Sequence, residues 1–399
     1  MDKKTGHIYF PGLNGLRFFA ALSVIITHVE LLKSQTGVKS LWKNPEISGK
    51  HQGWIEPLVF YLGGLGVYFF FVLSGFLITY LLMSEKHRTG TVAVGKFYIR
   101  RILRIWPLYY LVILLGFFVF PHIHVLEIPW LDKHFDENFF PALVLCLLML
   151  PNLALSIYPA VPHVGQVWSI GVEEQFYLLW PLIVRFSNRL LRTIIILFSA
   201  IIAFKMIVLY LSFARPSIPG IQAVKAFVAM SKIECMAIGG MGAYVLFFNY
   251  ERFIRTCFHP ITQLIAYVSL PLLIYFTPAV LQDGIHLVYS FAFIVIIMNV
   301  AANSASILKL ENPVFNFLGN ISYGLYMYHM VIIVLVIRLT GMCIEQKNSL
   351  AANVSYYVLS VLLTILISWL SFRYFESAFN RKRKKFSIID SEPTPQKEE

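Results

Sequence analysis

Arg17 and His28 lie eleven positions apart in an otherwise apolar stretch near the start of this 399-residue chain. On a helix, eleven steps of about 100° return to within roughly 20° of three full turns, so both side chains share a face, about 16 Å apart along the axis. A neutral imidazole is a general base near neutral pH, and a guanidinium is a permanent cation suited to anions. Two adjacent carboxylates, Glu173 and Glu174, follow in the segment Trp168 to Tyr177. Neighbours on a helix diverge by about 100°, so only one of them can face a bundle centre well. At the depth of His28, either would orient the imidazole and stabilise the imidazolium. Near a helix N-terminus, the macrodipole alone also accounts for negative charge there. Arg101 and Arg104, three positions apart, share a helix face. Two guanidiniums on one face clamp phosphate, or hold anionic lipid headgroups at a membrane surface. Ser74, among the glycines of residues 63–76, and His329, after Ser322 to Tyr328, add two further polar groups inside apolar runs. Glu376 sits at the inner end of the last run, within reach of Arg373 and Arg381 as ordinary partners.

These residues need a membrane scaffold to hold them. Hydrophobic residues make up 58% of the chain and charged residues 14%, with mean hydropathy +0.69. That combination excludes an ordinary soluble domain and predicts an all-α, polytopic helical bundle. The first apolar run lacks a short hydrophobic region with a small-residue cleavage site and is expected to stay as a helix. Cys146, Cys235, Cys257 and Cys343 are scattered, so neither a disulfide framework nor a metal site is expected. Net charge is +12, but the basic residues fall in short loops and in residues 381–385. Membrane orientation explains them, and no nucleic-acid partner is expected.

Apolar runs of spanning length occur near 16–33, 60–83, 105–121, 170–187, 193–213, 227–249, 260–277, 285–302, 320–341 and 353–375. Placing the clusters around Lys86 to Arg104, Arg185 to Arg192, Arg252 to Arg255 and the basic tail in the cytoplasm fixes the parity. About ten transmembrane helices result, with both termini inside and residues 122–139 as an acidic outer loop. An eleventh run, 140–158, is broken by Pro151 and is expected as a re-entrant or interfacial hairpin. Residues 1–385 form one membrane domain, and 386–399 are expected to be a disordered cytoplasmic tail. No covalent serine, Walker, HExxH or dinucleotide-binding motif is present.

Taken in order, the segments resemble the acyltransferase-3 family of integral membrane acyltransferases, from about Tyr9 to Arg381. The resemblance rests on Arg17 and His28, on residues 70–76 (Phe-Phe-Val-Leu-Ser-Gly-Phe), and on Arg101 with Arg104. It rests also on Trp168 to Tyr177 and on Ser322 to His329. It implies an O-acetyltransferase of the surface-polysaccharide type, here without an appended hydrolase-like domain, in the inner or plasma membrane. Acyl-CoA, most often acetyl-CoA, would be a co-substrate rather than a resident cofactor. A hydroxyl of a cell-envelope carbohydrate or glycolipid would be the acceptor. Arg17, Arg101 and Arg104 would bind the CoA phosphates, and His28 would act as base or accept the acyl group. The alternative class is a transporter or flippase for a glycolipid or anionic solute, with Arg and His lining a path rather than a reaction centre. No internal repeat supports that alternative.

Overall fold

The computed structural model describes residues 8–40, 42, 52–277, 283–344 and 346–389. Helices in chain order are α1 (Leu13–Gln35), α2 (Gln52–Thr89), α3 (Val94–Phe118), α4 (Pro129–Leu147), α5 (Pro151–Ile157), α6 (Trp168–Phe186), α7 (Leu190–Ala214), α8 (Ile221–Met230), α9 (Ile233–Phe247), α10 (Glu251–Phe258), α11 (Pro260–Phe276), α12 (Ile285–Ala302), α13 (Pro313–Asn320), α14 (Ser322–Cys343), α15 (Leu350–Ser371) and α16 (Ser377–Lys384). A π-helical turn, Phe372–Glu376, joins the last two. No strand occurs among the described residues. The protein is the all-helical membrane bundle that its composition predicts.

Among the described residues seven helices have the length and apolarity to cross a membrane, or eight if α10 and α11, bent by 60°, are one broken span. This count does not confirm the expected ten. One reason is visible at the run 227–249, which splits into α8 and α9 around Ser231 and Lys232. There Glu234 is buried against Lys205 Nζ (2.5 Å) and His286 Nε2 (2.7 Å), so polar pairing interrupts the apolar stretch. The outer loop is also shorter than expected, because α4 begins at Pro129. The run 140–158 divides at Met149, which takes φ 60°, and Pro151 opens the seven-residue α5. The expected disordered tail falls mostly on 390–399, outside the described residues; 386–389 carry no regular helix.

The core is built on α2, which packs against both α1 and α9, while α14 and α15 cover the other side of α1. Small residues set these approaches. A methyl group on Gly66 would overlap the Ala20 carbonyl and Ser23 Oγ, and one on Gly75 would overlap the Met236 carbonyl. Gly239 returns the contact, facing the Val72 carbonyl. Backbones in near contact are typical of helices that associate inside lipid through dispersion rather than hydrophobic exclusion. Because Gly75 seats α2 on α9, its neighbour Ser74 is turned towards α6.

Lys86 Nζ donates to the carbonyls of Val184 (2.9 Å) and Ser187 (2.8 Å), closing the C-terminus of α6. The start of α6 lies deep in the bundle. Val164, Gln166 and Val167 are buried, and Gln166 Nε2 donates to the Met327 carbonyl of α14 at 2.8 Å. That contact places the start of α6 level with Met327 of α14.

Candidate active site

At the end of the bundle that carries the basic clusters, Arg17 of α1 and Arg101 and Arg104 of α3 line two adjoining cavities of about 120 and 410 Å³. Arg17 Nη1 donates to Asn14 Oδ1 at 3.0 Å, one turn earlier on the same helix. Arg101 stacks over the rings of Phe97 (5.5 Å) and Tyr177 (5.7 Å). Its Nε is buried without a hydrogen-bond partner among the described residues. No carboxylate lies within ion-pair distance of these three guanidiniums among the described residues. Three converging cations in a low-dielectric setting repel one another, and an anion placed among them relieves that repulsion.

The smaller cavity runs inward from the arginines between α2, α6 and α14, past Ser74, Glu173 and Tyr177, and ends against Ser169 and Tyr326. Glu173 accepts hydrogen bonds from Ser74 Oγ (2.8 Å) and Tyr177 OH (2.9 Å). Glu174 points elsewhere and accepts from Trp106 Nε1 at 3.0 Å. The expectation that only one of the pair can face the centre matches this geometry; the expectation that it meets His28 does not. Gln166 stands level with Met327, so Glu173, seven residues further on, lies about 10 Å nearer the basic end. It lines the narrow cavity that the three arginines also border.

The partner of His28 is His329. His329 is fully buried, and its Nδ1 bonds the Tyr326 carbonyl at 2.7 Å. That bond requires Nδ1–H, leaving Nε2 as the acceptor facing His28 Nδ1 at 3.3 Å. His28 Nδ1 also reaches the Val24 carbonyl at 2.9 Å. Carbonyls accept only, so His28 carries its proton on Nδ1 and presents a lone pair on Nε2. Neither His28 nor His329 lines the cavities; Tyr326 stands between, its ring 5.7 Å from that of His329 and its hydroxyl bonded to Ser169 Oγ at 2.7 Å. Trp168 is a packing residue, edge-on to Phe71 at 6.1 Å.

Glu376 lies in the π-turn and lines the larger cavity, where it accepts from Ser371 Oγ at 3.1 Å. Sequence reasoning missed its neighbours on the cavity wall: Tyr9, and Asn380, Arg381, Arg383 and Lys384 of α16. The helical spacing of Glu376, Asn380, Arg383 and Lys384 was a usable signal. The Tyr9 phenol donates to Glu311 Oε1 at 2.8 Å. Burial, and then the adjacent carboxylate, push its pKa up, so it stays a protonated donor.

The acyltransferase-domain family profile matches residues 10–373. The chain belongs to the acyltransferase-3 family. It is 27% identical over 408 residues to the O-acetyltransferase OatA of Staphylococcus aureus strain NCTC 8325, covering 98% of this chain and 60% of that protein. The OatA proteins of strains COL and MRSA252 give the same figures. The chain thus spans about 60% of the length of these curated relatives. No solved structure matches it.

Proposed function

We propose that this protein is an O-acetyltransferase that moves an acetyl group from cytoplasmic acetyl-CoA to a hydroxyl of a cell-envelope carbohydrate or glycolipid. The observation that carries the reading is the convergence of Arg17, Arg101 and Arg104, unpaired with carboxylates among the described residues, at the mouth of a passage that heads towards His28. The arginines hold the CoA phosphates, and the pantetheine arm follows the passage past Ser74 and Glu173. The axial distance of about 16 Å between Arg17 and His28 matches the scale of that extended arm. Tyr326 has to turn aside for the thioester to reach His28.

In the transfer step, His28 Nε2 takes the proton of the acceptor hydroxyl as its oxygen attacks the thioester carbonyl carbon. The C–S bond then breaks, and the thiolate leaves and receives the proton from the imidazolium. His329 Nε2 and the Val24 carbonyl both accept from His28 Nδ1–H, so they stabilise that imidazolium as it forms. The names of the S. aureus relatives support the O-acetyl chemistry. Clustered lysines and arginines at one end of the bundle support a plasma-membrane protein with both termini in the cytoplasm.

The test is free CoA release from acetyl-CoA by the purified protein in lipid nanodiscs, with an envelope-glycan extract as acceptor. Release that depends on acceptor and is lost in His28→Ala supports the reading. Normal folding with neither binding nor turnover of acetyl-CoA overturns it in favour of a transporter.

A further inference from the structure

The larger cavity is bordered by more cationic side chains than a pyrophosphate needs. Among the described residues its wall holds six, Arg17, Arg101, Arg104, Arg381, Arg383 and Lys384, and one carboxylate, Glu376. They form two tiers. The first three border both cavities and so stand where the narrow passage begins; the last three border only the outer space.

The outer tier is built by the end of the chain. The π-turn at Phe372–Glu376 adds a residue to the helical repeat, which rotates the face of everything after it by about 100°. As a result one face of α16 turns to the cavity, while Lys382 and Lys385 point away from it and are exposed. α16 packs on α3, and Arg100 Nη1 donates to the Phe386 carbonyl at 2.9 Å, pinning the segment just beyond the helix. A positive-inside anchor would have no reason to select among five consecutive basic residues in this way.

Resting on the donor reading above, we infer that Arg381, Arg383 and Lys384 form a second phosphate subsite that recognises the 3′-phosphate of CoA. CoA carries a pyrophosphate next to the pantetheine arm and a separate phosphate monoester on the ribose, further from the thioester. The two tiers of cations repeat that order, with the pyrophosphate at the passage mouth and the monoester at α16. A monoester carries about −1.5 to −2 at pH 7, enough to engage more than one of the outer cations. The site therefore selects CoA over its 3′-dephospho form.

The experiment is equilibrium binding of CoA and of 3′-dephospho-CoA to the full-length protein in nanodiscs of neutral lipid. Wild type should bind 3′-dephospho-CoA about 10- to 100-fold more weakly than CoA, as expected for loss of charge-assisted contacts. In Arg381→Ala/Arg383→Ala/Lys384→Ala the affinity for CoA should fall to that for 3′-dephospho-CoA, whose own affinity should be unchanged. Lys382→Ala/Lys385→Ala, which removes charge from the same helix, should keep the wild-type ratio. A wild-type ratio near one overturns the inference without any variant, and so does a ratio that survives the triple substitution. Equal effects of the two multiple variants, appearing only in nanodiscs of anionic lipid, would assign α16 to headgroups instead. If neither nucleotide binds wild type, the donor reading itself fails. If both bind equally and acetyl-CoA is still turned over, only the 3′-phosphate subsite fails.

Discussion

Replacing His329 with Leu removes the acceptor that His28 Nδ1–H faces, while keeping a side chain that fills a fully buried position. A hydrogen bond to a charged group contributes about 1.5–3 kcal/mol. The 3.3 Å separation is long, and the Val24 carbonyl at 2.9 Å keeps a share of the same proton. The lower end of that range, about 1.5 kcal/mol, is therefore appropriate, and it corresponds to about a tenfold loss in kcat. Removal of a general base itself costs about 10²- to 10⁴-fold, so His28→Ala should be far more damaging. His329→Gln, whose amide oxygen can stand in for Nε2, should recover most of the rate. The assay is initial CoA release at saturating acetyl-CoA in nanodiscs, with KM for acetyl-CoA measured beside kcat. His329 acts through His28, so kcat should fall and KM should hold. A loss in His329→Leu as large as that in His28→Ala would make His329 the base and refute the assignment. Full activity in a well-folded His329→Leu protein would refute it in the other direction.

Arg101→Ala and Arg104→Ala should each weaken acetyl-CoA binding about 10- to 100-fold, whereas His28→Ala should leave it near wild type; isothermal titration separates the two patterns. Glu173→Gln should lower transfer by about tenfold or more because it removes the one carboxylate that lines the narrow passage among the described residues, and Glu174→Gln, held by Trp106, should stay within about threefold. Equal losses from the two would contradict the placement of Glu173 alone on the passage. Gly75→Ala forces α2 off α9 at the Met236 carbonyl and should destabilise the bundle by about 1–3 kcal/mol, read as a lower unfolding temperature in detergent. An unchanged unfolding temperature would show that the two helices do not meet there as closely as the backbone contact requires.

The local geometry of the candidate site was legible in the sequence. The i, i+11 spacing of Arg17 and His28 and the i, i+3 spacing of Arg101 and Arg104 are local helical facts, set by a repeat that tertiary packing barely alters. The same repeat says that Glu173 and Glu174 cannot both face one cavity. Hydropathy and the placement of basic residues likewise determine that the chain is a membrane bundle with a charged end, since lipid admits few other solutions.

What the repeat cannot supply is the relative depth of helices that are distant in sequence. The segment before Trp168 descends into the bundle until Gln166 meets the Met327 carbonyl, and this lowers Glu173 by about two turns, away from His28 and towards the arginines. The vacated role beside His28 passes to His329, which lies 301 residues away in the chain. In the same way, Arg381, Arg383 and Lys384 read locally as part of a basic tail, and only the π-turn and the packing of α16 on α3 turn them to the cavity. Periodicity along one helix is a short-range property of the backbone and follows from sequence; the offset between helices is a sum over every intervening turn and contact, and the folded structure alone determines it.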